Sequence, residues 1–135
     1  TGVEETAVKM QVRHKWMPFP EALSLVSRLK DAGILTAGFF IIGYPGESLA
    51  DMQRTLGYAN QLPLDQRNIY IATPYPGTPL FDLCVKEGFL TMQPPDLYSN
   101  LLYTKGFIQT PEFKAGDVEK LKADDRDQAL RRKSA

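Results

Sequence analysis

The residues best placed to do chemistry lie in two turns and one pair of acids. Gly43-Tyr44-Pro45-Gly46-Glu47-Ser48 follows an apolar run over residues 34–42. A glycine-rich turn that enters a helix can hold a phosphate on its N–H groups. This one lacks the Gly-Lys-Ser/Thr ending of a P-loop and does not read Gly-x-Gly-x-x-Gly, so a tight turn is the plainer reading. In either reading backbone can approach a ligand closely, and Glu47 is free to point into a site. The second turn, Pro74-Tyr75-Pro76-Gly77-Thr78-Pro79, carries three prolines. It reads as a rigid corner with a helix cap, or as a stiff wall for a ligand's flat face, with exposed backbone groups for its edge. Glu4 and Glu5 stand where Thr1-Gly2-Val3-Glu4 resembles the end of a strand. A carboxylate there can accept hydrogen bonds from ribose hydroxyls or an amino group. Two solvated acids opening a helix satisfy the pattern equally well.

Other reactive residue types lack partners. His14, between Arg13 and Lys15, has no second histidine and no nearby cysteine, so a surface or packing role outweighs metal binding. Cys84 is the single cysteine; inside a helix it reads as a small core residue. One cysteine builds no internal disulfide and holds no iron–sulfur cluster. It is compatible with a reducing, cytoplasmic setting. Sixteen basic residues balance sixteen acidic ones, which disfavours nucleic acid and anionic membrane as partners. The run at residues 34–43 is far short of the roughly 20 apolar residues that span a bilayer. The chain opens on Thr1 rather than Met, which reads as a piece of something longer.

The elements that must position these residues alternate. Residues 5–12 suggest a short helix. Pro20 suits the first turn of the next, with Ala22, Leu23, Leu25, Val26 and Leu29 as its stripe and Gly33 as its stop. The run at 34–42 suits a strand buried on both faces, hence a parallel sheet under helices. Ser48 and Asp51 form a capping-box pattern, and Leu49, Met52, Leu56 and Ala59 recur at helical spacing to about Gln61. A second strand over 67–73 completes a βαβ unit. Thr78 caps a helix with Pro79 at its first position and Gly88 at its end. Beyond Leu90 the pattern is irregular until a last helix from Ala115 to about Arg131, acids early and bases late.

Several of these stretches, in order and suitably spaced, resemble the second half of a radical S-adenosylmethionine (SAM) domain over residues 1–90. Gly2-Val3-Glu4 is similar to that family's Gly-x-Glu-Ser strand end, and Ala32-Gly33-Ile34 to its helix-to-strand junction. Phe39-Phe40-Ile41-Ile42-Gly43-Tyr44-Pro45-Gly46-Glu47-Ser48 is similar to its Pro-Gly-Glu-Thr turn, and Pro74-Tyr75-Pro76-Gly77-Thr78-Pro79-Leu80 to its next strand end. The subgroup most resembled is the one often fused to a cobalamin-binding domain, alongside the methylthiotransferases.

The resemblance implies an α/β fold, a partial (β/α) TIM-like barrel of which this chain supplies about the last three units. Residues 91–135 would form a C-terminal extension with a terminal helix. It implies SAM and a 4Fe–4S cluster as cofactors, with cobalamin in the fused subgroup. The cluster's Cys-x-x-x-Cys-x-x-Cys would lie in a missing N-terminal half, the chain's natural partner, and this piece alone would be inactive. In the family the cluster cleaves SAM to a 5′-deoxyadenosyl radical that takes a hydrogen from substrate. Methyl transfer, methylthiolation and oxidative cyclisation all share these turns, and the substrate is not implied. Carried over, Glu4 would bind the SAM ribose or amino group. Ile41 or Ile42, with Gly43, would pack on the adenine. The backbone at Thr73, Pro74 and Tyr75 would close the adenine pocket. Glu5 departs from the family's serine; Ser48 replaces threonine, with the same capping chemistry. The competing reading is a non-catalytic α/β module that binds a nucleotide or a protein through an open sheet edge.

Overall fold

The computed structural model describes residues 17–134. Glu4, Glu5, His14 and the helix expected over 5–12 lie outside them. Helix α1 (Phe19–Asp31) carries Pro20 in its first turn. It ends where Gly33 N–H bonds to the Lys30 carbonyl and Ile34 N–H to the Leu29 carbonyl. That paired closure uses Gly33 at a positive φ of 73°. Phe19 packs edge-on to Tyr58 at 4.3 Å, which leans α1 on the next helix.

Strand β1 (Ala37–Ile42), helix α2 (Leu49–Gln61) and strand β2 (Gln66–Ile71) form the βαβ unit. The strands pair in parallel from Ala37 opposite Gln66 to Ile42 opposite Ile71. At their starting end the Asp65 carboxylate accepts from Thr36 N–H at 2.7 Å, while Asp65 and Gln66 N–H groups return to the Thr36 carbonyl. Helix α2 begins at a reciprocal capping box. Ser48 Oγ accepts from Asp51 N–H and Asp51 Oδ2 accepts from Ser48 N–H. Its stripe of Met52, Leu56 and Ala59 is buried, as the spacing requires.

Helix α3 (Pro79–Glu87) starts at Thr78, whose hydroxyl accepts from Phe81 N–H, and stops at Gly88. A short α4 (Asp96–Asn100) lies in the stretch read as irregular, with Leu97 fully buried. Helix α5 (Ala115–Ser134) ends the chain. One apolar cluster joins Ile42, Met52, Leu56 and Ile71 to Leu97, Phe107, Ile108, Phe113 and Val118. Antiparallel bonding of the chain around Leu90 to that around Ile108 brings the second group in.

The sheet departs from the expectation in one respect. Its face bearing Phe40, Ile42, Ile69 and Ile71 lies toward the helices and the core. Phe39, Ile41, Asn68 and Tyr70 share the other, and Phe39 is 67% exposed. The run at 34–42 is therefore covered on one face, because among the described residues the helices pack on that side alone. It also enters the sheet late: Ile34 and Leu35 precede β1 and are exposed.

Helix α5 is held to the sheet by a polar contact. Arg67 Nη1 of β2 lies 2.8 Å from Asp125 Oδ2, and Asn60 Nδ2 of α2 donates to Asp125 Oδ1 at 3.1 Å. The arginine N–H is not aimed along that line, so the pair acts by charge more than by a directed hydrogen bond. Asp125 is buried and Arg67 nearly so. Removing one member of such a pair leaves the other charge without its partner. Asp125→Ala is expected to cost about 3 kcal/mol of stability, while Asp124→Ala, on the exposed side, stays within about 0.5 kcal/mol. Urea melts of the two variants test this; equal losses would refute the anchoring role.

Candidate functional site

The parallel register delivers both turns to the same end of the sheet. Ala72 N–H donates to the Ile42 carbonyl at 2.8 Å, one step past the strands, so the turns run side by side. In open parallel sheets this carboxyl end is where ligands bind.

The first turn is built around Glu47. Gly43 and Gly46 sit at φ 90° and 94°, a region that other residues enter only with strain. Gly43 also has a packing reason, since a Cβ there would lie 3.2 Å from Val118 Cγ1 of α5. This twist directs the N–H groups of Gly43 and Tyr44 inward. Glu47 Oε2 accepts both, at 2.8 and 2.7 Å. The side chain is 0% exposed, and Oε1 is buried with no hydrogen-bond partner among the described residues.

Glu47 therefore does not point into an open site. It folds back and supplies its own turn with a carboxyl oxygen, so the N–H pair that could have cradled a phosphate is already occupied. Burial pushes its carboxyl up to about 7, against the two N–H donors, and Asp51 adds to the rise. The Tyr44 hydroxyl is raised as well, by burial first and by Glu47 second.

The second turn is similarly self-satisfied. Thr73 Oγ1 donates to the Ile71 carbonyl at 3.0 Å, and Tyr75 N–H to the Thr73 carbonyl at 2.9 Å. Thr78 donates to the Tyr75 carbonyl from its hydroxyl at 2.7 Å and from its N–H at 3.2 Å. The edge groups expected to face a ligand are in part consumed by the turn itself.

The structure thus sorts the expected site residues. Ile42, Gly43, Glu47, Thr73 and Pro74 come together but are buried. Ile41 and Tyr75 are the two with accessible side chains, 41% and 46% exposed. Ile41 belongs to the uncovered sheet face, which is flat and aromatic. Phe39 and Tyr70 stack at 6.1 Å with 9° between their planes, and Tyr103 meets Tyr70 edge-on at 5.1 Å. Such a surface offers apolar contact to a planar ring and few polar groups to anything else. Tyr103 and Val118 were not singled out from the sequence, since both reach this region through long-range packing.

No cluster of three or more His, Cys, Asp or Glu able to hold a metal occurs among the described residues. Cys84 is buried and burial pushes its thiol up to about 12, so it remains protonated and inert at neutral pH. No described helix is long and apolar enough to cross a membrane.

Comparison with known proteins adds a chemical direction. No family model matches the chain. Over 70 residues, 52% of the chain, it is 34% identical to an uncharacterised methyltransferase of Pyrococcus horikoshii. Over 99 residues, 69% of the chain, it is 30% identical to the cytidylyl-2-hydroxyethylphosphonate methyltransferase of Streptomyces wedmorensis. Over 65 residues, 47% of the chain, it is 43% identical to the tRNA-2-methylthio-N(6)-dimethylallyladenosine synthase of Alkalilimnicola ehrlichii. These stretches make up 15%, 18% and 14% of the three relatives, so the chain spans less than a fifth of their lengths. The chain is thus related to proteins named as methyltransferases and to a tRNA methylthio-adenosine synthase.

The Glu47 geometry carries a pH signature. With its folded value raised from 4.5 to about 7, the native protein holds a proton that the unfolded chain has released. The associated stability is complete below pH 4.5 and is lost as pH rises to 7, by on the order of 3 kcal/mol. Glu47→Gln keeps an oxygen for the two N–H groups and cannot ionise. Urea melts at pH 4.5, 6 and 8 should show the wild type weakening relative to the variant. Parallel profiles would rule out a buried, proton-holding Glu47.

Proposed function

We propose that this chain is the SAM-binding half of a radical SAM iron–sulfur enzyme. In this reading residues 1–90 close a partial (β/α) barrel, and residues 91–135 form an extension packed against it. The observation that carries the proposal is the pair of adjacent turns at the carboxyl end of a parallel sheet, beside an uncovered apolar face that includes Ile41. In a barrel that face would line the interior. The relatives' names support a methyl- or methylthio-transferring enzyme over oxidative cyclisation.

The residues present suit one part of SAM and leave the rest to other segments. Ile41, with Tyr75 at the rim, would take the apolar face of the adenine. The Glu47-braced turn and the Thr73–Tyr75 backbone would hold that wall in place. Glu4 would accept from the ribose hydroxyls or the amino group, with Glu5 beside it. Since the described residues contain no group of metal ligands, the cluster's cysteines would come from elsewhere in the protein, as would any cobalamin. When bound, SAM and a reduced cluster supply a carbon radical that removes a hydrogen from substrate. The role of this chain would be to orient the adenosyl group and exclude water around it. The reading places the protein in the cytoplasm, with which a single cysteine is compatible.

The test uses the complete gene product, purified without oxygen. Glu4→Ala is expected to weaken SAM binding at least about tenfold, the scale of one lost charge-assisted hydrogen bond, whereas His14→Ala leaves it unchanged. Equal effects would remove Glu4 from the site. The 135-residue chain alone should bind SAM weakly or not at all. Sub-micromolar binding in a calorimeter would favour the non-catalytic nucleotide-binding module instead.

A further inference from the structure

A groove of about 370 Å³ runs between the outer edge of β2 and helix α5, with none of the two turns' residues in its walls. Its walls combine two tyrosines, Tyr70 and Tyr103, with Arg67, Lys122, Asp125 and Arg126. The charges in it are unevenly matched. Asp125 is taken up by Arg67 and Asn60. Arg126 makes one long, exposed contact to Asp127, Nε to Oδ1 at 3.4 Å. Lys122 forms no ion pair among the described residues; its Nζ lies 5.9 Å from the centre of the Tyr103 ring. Lys122 and Arg126 stand four residues apart on one helix, where side chains are neighbours. Burial first, and the like charge of Arg126 second, hold the lysine below its ordinary value. Two cations are thus kept together beside half-exposed aromatic surface, and the acid that shares their groove, Asp125, is engaged by Arg67 and Asn60. Tyr103 itself is 51% exposed.

We propose that this groove binds a single nucleotide, with its phosphate between Lys122 and Arg126 and its base against Tyr103. An anion there removes the lysine–arginine repulsion, which a neutral ligand cannot do. A flat base covers tyrosine surface that a bare phosphate would leave wet. The volume falls at the small end of ligand pockets, of order 300–1,000 Å³, which suits one nucleotide. Equal numbers of acids and bases over the chain disfavour an RNA strand as the occupant. Its two cations lie on α5 rather than on the turns assigned to SAM, although Tyr70 is the strand partner of Ile41, and the proposal does not depend on that assignment.

Equilibrium dialysis of the complete gene product, purified without oxygen, against labelled CMP and AMP tests the proposal. Both should bind with Kd near 0.1 mM, about −5.5 kcal/mol, and more weakly as salt rises. Cytidine and adenosine should bind at least about tenfold more weakly, the phosphate being the larger share. The double variant Lys122→Gln, Arg126→Gln should lose at least about tenfold, with an unchanged thermal melt. Tyr103→Leu should weaken nucleotide binding while leaving the weak competition by inorganic phosphate intact. Excess SAM, which carries no phosphate, should not displace CMP. Unchanged binding by the double variant would overturn the site. Displacement by SAM would place the nucleotide at the turns, overturning this proposal while leaving the SAM reading intact. Binding of an oligonucleotide without binding of CMP or AMP would replace the nucleotide pocket with an RNA surface.

Discussion

Glu47 folds over its own turn and takes the N–H groups of Gly43 and Tyr44 on one oxygen. Much of the site end of the molecule follows from that contact. The turn must bring two donors to one point, which requires the positive dihedrals of Gly43 and Gly46. Once closed, it places Ser48 at the start of α2, where the reciprocal bond with Asp51 launches the helix. Helix α2 then lays Met52, Leu56 and Ala59 into the core beneath the sheet. The same compact turn leaves room for Val118, so α5 can seat against Gly43. A carboxylate at this position therefore acts as an internal ligand. It does what a bound phosphate does in other glycine-rich turns, but from within the chain.

That solution has a cost in the second oxygen. Oε1 is buried without a partner among the described residues, and an ionised carboxylate pays heavily for incomplete solvation. Protonation relieves part of the cost, which is why the group titrates near neutrality rather than in the usual carboxylate range. Asp51, four residues on, shows the opposite outcome. It accepts from the Ser48 N–H and hydroxyl near the surface, and is held down at about 2, chiefly by those bonds. Two acids of one turn are thus driven apart by burial on one side and hydrogen bonding on the other.

The local grammar of the fold was legible in the sequence. Ser48–Asp51, Thr78 with Pro79, Gly33 and Gly88 each mark a helix boundary through chemistry confined to a few residues, and the structure places helix ends there. The βαβ unit followed from two apolar runs flanking a helical stripe. Exposure was not legible, because periodicity shows which residues are apolar and not what covers them: Phe39 and Ile41 read as core and lie on an uncovered face. Nor was the direction of Glu47, since pointing outward and folding back are compatible with the same six residues. The anchoring of α5 by Arg67 and Asp125 joins positions 58 apart, and no local pattern announces it.

The two faces of the sheet explain why the chain divides its chemistry as it does. On the covered face, the charges that remain near the strands are neutralised within the fold, as Arg67 and Asp125 are. On the uncovered face there is almost no charge; Phe39, Ile41 and Tyr70 present rings and methyl groups. Along the outer edge of β2, where α5 and the Tyr103 segment meet, exposed cations and aromatic surface coincide. The sheet face and its turns would thus suit a planar, weakly polar group, and the flank would suit an anion. Each surface inherits the electrostatics of the packing behind it.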